Sequence, residues 1–171
     1  VPAVQKIFAE NTKRVLNIAA IHDMLTKTEA FDRIALRPLL RRIAGELQTL
    51  VPEGQSIWLR VQGDDMMVSS DCATAVALVV NELLLNSIEH AYPDQKSGTV
   101  TVSIYRGALY GTVTVADDGC GFDPEEVADS LGMSLVRMTV RDKLQGTLRI
   151  QSTLGRGTAS SFDVRLTDNE I

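Results

Sequence analysis

The sequence predicts an α+β domain built as a two-layer α/β sandwich, with a bundle or coiled-coil helix ahead of it. Three observations predict it. Every strand-like segment alternates apolar and polar residues, so the sheet has one buried face and one wet face. Segments of helical period separate these strands and supply the covering layer. The first segment instead carries a seam that steps alternately by four and three residues, through Val4, Phe8, Asn11, Val15, Ile18, His22 and Leu25.

A helix with such a seam cannot bury its stripe alone. No second long heptad helix follows in the sequence, so the expected partner is a segment outside this chain, a second copy, or both. Thr26 to Ile34 is polar and aperiodic, which places a joint there. Leu36 to Leu50 reads as an amphipathic helix with Pro38 tolerated in its first turn, ended by Val51-Pro52-Glu53-Gly54. In the strand that follows, Ile57, Leu59 and Val61 point one way and Trp58, Arg60 and Gln62 the other. Asp71 to Tyr92 is a long helix, capped by Ser69 or Ser70 and stopped by Pro93. Val100, Val102 and Ile104 mark one strand and Val113 and Val115 the next, with a hairpin break at Arg106-Gly107-Ala108. Asp123 to Leu144 is loop and helix. Leu148 and Ile150 pair across a Gly-rich turn with Phe162, Val164 and Leu166 as a last hairpin.

Composition narrows the function. The chain has 171 residues, 44% hydrophobic and 23% charged, the balance of an ordinary globular domain and not of a disordered one. With 17 Lys and Arg against 22 Asp and Glu, the net charge is −5, which argues against nucleic-acid binding. Arg37, Arg41 and Arg42 form the densest basic cluster and read as a solvated helix face. The longest apolar run, Ala75 to Val80, falls short of the ~18 residues of a membrane span, so no membrane insertion is expected of this segment. Two cysteines and two histidines are too few for a disulfide framework or a zinc site and suit free thiols in a reducing cytoplasm. Without an initiator Met or a signal peptide, the chain reads as a piece of a longer cytoplasmic protein.

Four features carry chemistry. In Asn81-Glu82-Leu83-Leu84-Leu85-Asn86, Glu82 and Asn86 stand one helical turn apart, beside the stripe Val76, Val80, Leu84 and Ile88. Asn81, Glu82, Asn86 and His90 then share a polar edge. That edge is either simply solvated or a seat for a hard cation such as Mg²⁺, which keeps waters and borrows phosphate oxygens. In Asp117-Asp118-Gly119-Cys120-Gly121, continuing the Val113 and Val115 alternation puts Asp117 on the buried side of a strand end. A carboxylate there needs hydrogen bonds. It either caps a tight turn or accepts from an exocyclic amine, with Gly119 and Gly121 admitting a planar ring. Ser130-Leu131-Gly132-Met133 opens a helix whose amides can hold an anion. Gly155-Arg156-Gly157-Thr158 reads as a hairpin turn with a bulge.

In this order the four features resemble the Bergerat-fold ATPases, which include gyrases, heat-shock chaperones, histidine kinases and mismatch-repair proteins. Asn81-Glu82 with Asn86 is similar to their N box, Asp117 to Gly121 to their G1 box, Leu131-Gly132-Met133 to the start of G2, and Gly155 to Thr158 to the last glycine-rich turn. Ser130 to Gly146 and Glu89-His90-Ala91-Tyr92-Pro93 most resemble bacterial sensor histidine kinases with a short nucleotide lid. Arg14 to Leu25 resembles the second helix of their dimerisation hairpin.

The resemblance implies ATP and Mg²⁺ as cofactors, with Glu82 polarising or deprotonating the attacking group and Asn86 binding the metal. Asp117 would hold adenine, Gly132 with Leu131 and Met133 would cradle phosphates, and His90, Gly119, Gly121 and Thr158 would complete the site. It implies residues 1–33 as part of a dimerisation and phosphotransfer hairpin and residues 34–171 as the ATP-binding catalytic domain. The partners would be a second copy, joined through the first helix, and a response-regulator receiver domain. The sequence departs from many relatives at Ser130, where they carry Gly, and at Glu89, where they carry Lys. His22 lies on the seam and reads as a bundle residue, which puts the phosphoacceptor His outside this chain. An anti-sigma serine kinase, suggested by Glu89-His90-Ala91, and a catalytically dead nucleotide sensor are the alternatives.

Overall fold

A computed structural model describes residues 2–5, 33–125 and 130–167. The seam from Phe8 to Leu25, with His22, and the joint from residue 26 to 32 lie outside the described residues; Val4 lies within them and is exposed.

Ten elements follow: β1 (Ile34–Ala35), α1 (Leu36–Gln48), β2 (Ser56–Gly63), β3 (Met67–Val68), α2 (Ser70–His90), β4 (Ser97–Arg106), β5 (Tyr110–Asp117), α3 (Leu131–Asp142), β6 (Arg149–Thr153) and β7 (Gly157–Arg165). The main sheet has the order β2-β4-β5-β7-β6, and β1 and β3 pair separately. Both expected hairpins are present, β4–β5 and β6–β7, and β5 pairs antiparallel with β7. The alternation did not disclose that β2 runs parallel to β4, with α2 in the crossover between them.

The alternation does set the faces. Ile57 and Leu59 of β2, Val100, Val102 and Ile104 of β4, Val113 and Val115 of β5, and Phe162 and Val164 of β7 are all buried. The opposite face shows Trp58, Arg60 and Tyr105 to solvent. Each large side chain buried on the inner face contributes about 1.5–3 kcal/mol. The edge strand β2 is covered by α1: Gln48 donates to the Ile57 carbonyl at 2.7 Å and accepts from the Leu59 amide at 2.9 Å.

Helix α2 is the centre of the covering layer. It opens on Ser69, whose hydroxyl accepts from the Cys72 amide at 3.2 Å. It packs against α1 and α3 and over β5 and β7, so it is buried nearly all round. Asn81 and Glu82 are therefore only 2% and 3% exposed, and the expected polar edge reaches solvent at Asn86 and His90 alone. The same packing explains its composition. By length and hydropathy, α2 is the helix among the described residues that qualifies to cross a membrane, yet 72% of that apolar window is buried inside the fold. Counting only unbroken apolar runs overlooked it.

After α2 the chain turns through Tyr92, whose buried ring lies on Gly98. A Cβ on Gly98 would stand 2.1 Å from the Tyr92 Cε1. The Tyr92 hydroxyl donates to Asp118 Oδ1 at 2.7 Å and also reaches the Thr99 carbonyl at 3.1 Å, so the ring cannot swing aside without losing these bonds. Gly98→Ala is expected to cost about 1–3 kcal/mol by overpacking. Chemical denaturation with an unchanged midpoint would contradict this account of Gly98.

Candidate nucleotide site

The inner face of the sheet changes character toward one end. Val102, Val115 and Ser160 share one row, and Val100, Asp117, Thr158 and Ser152 form the last. Asp117 thus stands on the inner face, half-buried, where the alternation placed it.

Its carboxylate is held from three sides. Oδ1 accepts the backbone amides of Gly119 at 3.0 Å and Thr158 at 3.3 Å, and Oδ2 accepts the Ser87 hydroxyl of α2 at 3.1 Å. Burial pushes this carboxyl above the ordinary aspartate value. The three hydrogen bonds oppose the shift, and the neighbouring Asp118 adds to it. Asp118 goes the other way. Burial raises it, but the Tyr92 hydroxyl, the Thr99 amide and its own amide outweigh that and hold it below the usual range. Burial, followed by the bond to Asp118, drives the Tyr92 phenol upward in turn.

The loop after β5 is fastened on both sides by backbone. The Cys120 amide donates to the Ala91 carbonyl at 2.8 Å, and the Cys120 carbonyl accepts the Gly155 amide at 2.7 Å. The Phe122 amide donates to Ser152 Oγ at 2.9 Å. Gly121 needs its glycine twice over, for φ +62° and for the Thr153 carbonyl 2.1 Å from where a Cβ would sit. Gly119 was expected to admit a ring. It meets Ala91 instead, whose carbonyl oxygen would lie 2.3 Å from its Cβ, so this glycine lets the loop close onto the end of α2.

Between α2, the loop, α3 and the sheet lies a cavity of about 610 Å³. Asn86, His90, Asp117, Gly121, Met133 and Thr158, all expected site residues, line it. Glu82, Gly119, Leu131 and Gly132 are not among its lining residues. Glu82 is buried behind Gly132: a Cβ there would stand 2.5 Å from Glu82 Oε2, so the glycine lets the opening turn of α3 approach this carboxylate. Leu131 is exposed. At the same turn Ser130, the departure from Gly, caps α3 through its hydroxyl and the Met133 amide at 3.2 Å, which leaves the amides of Leu131 and Gly132 for an outside anion. Glu89, the other departure, is turned toward His90, 3.7 Å away, and does not line the cavity.

The sequence reading missed Ser87, Arg137 and Ser160 on the cavity wall. Ser160 carried a signal: it is a polar residue in a buried register position ahead of Phe162 and Val164. Ser87 directly follows Asn86 but has no spacing signature of its own. Arg137 sits in an exposed stretch of α3 and gave none.

Residues 72–168 match the family described as histidine kinase-, DNA gyrase B-, and HSP90-like ATPase. The chain belongs to this family. Residues 1–51 match a second family model, described as histidine kinase. Sensor histidine kinase PdtaS of Mycobacterium tuberculosis is 35% identical over 153 residues, covering 87% of this chain and 30% of that protein. Blue-light-activated histidine kinase 2 of Erythrobacter litoralis is 32% identical over 155 residues, covering 86% of this chain and 43% of that protein. The chain thus spans less than half the length of these relatives. The histidine kinase domain of the Erythrobacter litoralis EL346 blue-light activated histidine kinase superposes with a TM-score of 0.74 at 29% identity, over 90% of this chain and 72% of that one. The catalytic domain of histidine kinase ThkA, at 18% identity and a TM-score of 0.66 over 82% of this chain and 99% of that one, shares the fold. ATP binding comes with membership of this ATPase family.

If Asp117 receives the adenine amine, Asp117→Asn removes a charged acceptor worth about 1.5–3 kcal/mol and presents a donor to a donor when the amide is misoriented. ATP binding measured by calorimetry is expected to disappear while the circular dichroism spectrum is retained. Unchanged affinity would contradict the assignment. In the wild type, affinity is expected to fall with acid by up to about tenfold per pH unit, because the amine needs the ionised form. The fall begins above the ordinary aspartate range, since the ligand-free carboxyl is raised.

Proposed function

We propose that this chain is the ATP-binding catalytic part of a sensor histidine kinase, which transfers the γ-phosphoryl group of Mg-ATP to a histidine and then to an aspartate of a response-regulator receiver domain. In this reading residues 34–171 are the catalytic domain and residues 1–33 belong to the dimerisation and phosphotransfer hairpin. The observation that carries it is Asp117: a half-buried carboxylate, fixed by three donors, on the wall of a cavity of about 610 Å³. That is a fixed acceptor for the amine of a purine.

The remaining roles belong to the same proposal. His90, Gly121 and Thr158 border the nucleotide, and Gly119 seats the loop that holds it. The Leu131 and Gly132 amides face phosphate oxygens, with Met133 beside the ring. Asn86 fits Mg²⁺ as a single amide oxygen at the cavity wall, because such an ion takes most of its ligands from phosphates and water. Among the described residues no group of three His, Cys, Asp or Glu is placed to hold a metal by itself. When bound the ion neutralises phosphate charge. Glu82 is assigned to polarise the attacking nitrogen; it is buried behind the Gly132 turn, so this role requires that turn to uncover it. Phosphoryl transfer is then chiefly a matter of alignment and charge.

The acceptor histidine lies outside this chain, and the first helix joins two copies. A cytoplasmic location agrees with two free thiols.

Two measurements test this reading. The chain is expected to bind Mg-ATP yet acquire no label from γ-labelled ATP. Acid-labile label on wild type that vanishes in His22→Gln would make His22 the acceptor and overturn the placement outside the chain. Asn86→Ala is expected to weaken Mg-ATP far more than metal-free ATP, by roughly tenfold or more for loss of a charge-facing ligand. Equal losses would reduce Asn86 to a structural residue.

A further inference from the structure

The three donors on Asp117 are not equivalent. Gly119 and Thr158 offer backbone amides, both to Oδ1, which any sequence with this backbone would retain. Ser87 is the one side-chain donor and the one that reaches Oδ2, at 3.1 Å. It comes from α2, in the layer that covers the sheet, and is only 7% exposed. A serine hydroxyl has a single proton and two lone pairs, while an ionised carboxylate only accepts. The proton is therefore committed to Asp117, and the oxygen is left as a second acceptor on the cavity wall.

We propose that Ser87 is a positioning residue for the nucleotide site: its hydroxyl fixes the rotation of the Asp117 carboxyl, holds its charge, and makes this stretch of wall accept hydrogen bonds only. Such a wall takes a 6-amino purine and repels a 6-oxo purine, whose oxygen would face two acceptors. The claim about the ligand rests on the nucleotide reading above, whereas the setting of the carboxyl does not.

The electrostatics agree. Burial favours the protonated form of Asp117, and Ser87 supplies one of the bonds that oppose it. Other groups near Asp117 are Asp118 on its own strand, Tyr92 committed to Asp118, His90 of α2, Cys120 of the loop and Arg137 of α3. All of these are unaltered in the variants Ser87→Ala and Ser87→Thr, so a changed Asp117 titration reports the hydroxyl.

The test is carried out on the full chain with carbon-13 carboxyl resonances, following Asp117 against pH without ligand, and with ADP affinity measured over the same range. In Ser87→Ala the Asp117 midpoint is expected to move up by about one pH unit, the scale of one hydrogen bond to a charged group. The acid fall-off of ADP affinity should move with it. Ser87→Thr, which keeps the hydroxyl, should stay with the wild type in both. An unmoved midpoint in Ser87→Ala, or an equal shift in Ser87→Thr, overturns the proposal, since volume and not the hydroxyl would then be at work. A wild type that binds no ADP overturns the nucleotide reading, and the ligand-free midpoint still decides whether Ser87 sets the carboxyl.

Discussion

One carboxylate organises the site. Asp117 ends a strand whose preceding inward residues, Val113 and Val115, are fully apolar, so its charge stands at the edge of the core. A buried charge costs several kcal/mol unless it is hydrogen-bonded. The donors come from three places: the loop that follows, the hairpin strand β7 and helix α2. To bring all three within reach, the backbones must touch. Gly119 closes the loop onto Ala91, Gly121 closes it onto the Thr153 carbonyl, and Gly157 lets the hairpin lie on the Asp117 carbonyl, 2.1 Å from where its Cβ would be. All three glycines serve contacts between segments of the chain, and Gly121 lines the cavity as well.

The next residue shows the same economy in reverse. Asp118 points away from the cavity and is tied down by the Tyr92 hydroxyl and the Thr99 amide. That bond anchors the turn after α2, and Gln55 adds to it by donating to the Tyr92 carbonyl at 2.9 Å. Two adjacent carboxylates are thereby pushed in opposite directions: Asp118 is held ionised as a structural tie, and Asp117 is kept responsive at the cavity. Helix α2 joins the two halves of this arrangement, because it carries core residues, Ser87, Asn86 and the buried Glu82 on one rigid element.

Much of this was legible in the sequence, and the limits have physical causes. Alternation gave the inward face of every long strand and put Asp117 on it. It could not reveal that β2 and β4 are parallel, since side-chain period is the same in either direction. The start of α2 followed from the Ser69-Ser70 pair, whose capping chemistry is local, while its end at His90 comes two residues ahead of the expected Tyr92. Burial of Asn81 and Glu82 was not local. It depends on α1 and α3 closing on both flanks of α2, and a helical wheel shows only one helix. Ser87 was unreadable for a similar reason, because its partner lies thirty positions away on the sheet. Glycine spacing flagged the loop but could not say which glycine lines the cavity and which meets Ala91.

The account stands on the state of one carboxyl group, and that group can be observed directly. Asp117 should be titrated by its carbon-13 carboxyl resonance in the wild-type chain, with and without saturating ADP. The account predicts a ligand-free midpoint above the ordinary aspartate range, and a marked downward shift when ADP binds, as the adenine amine takes the ionised form. A midpoint that is the same with and without bound ADP would contradict it, because the nucleotide would then be held without Asp117.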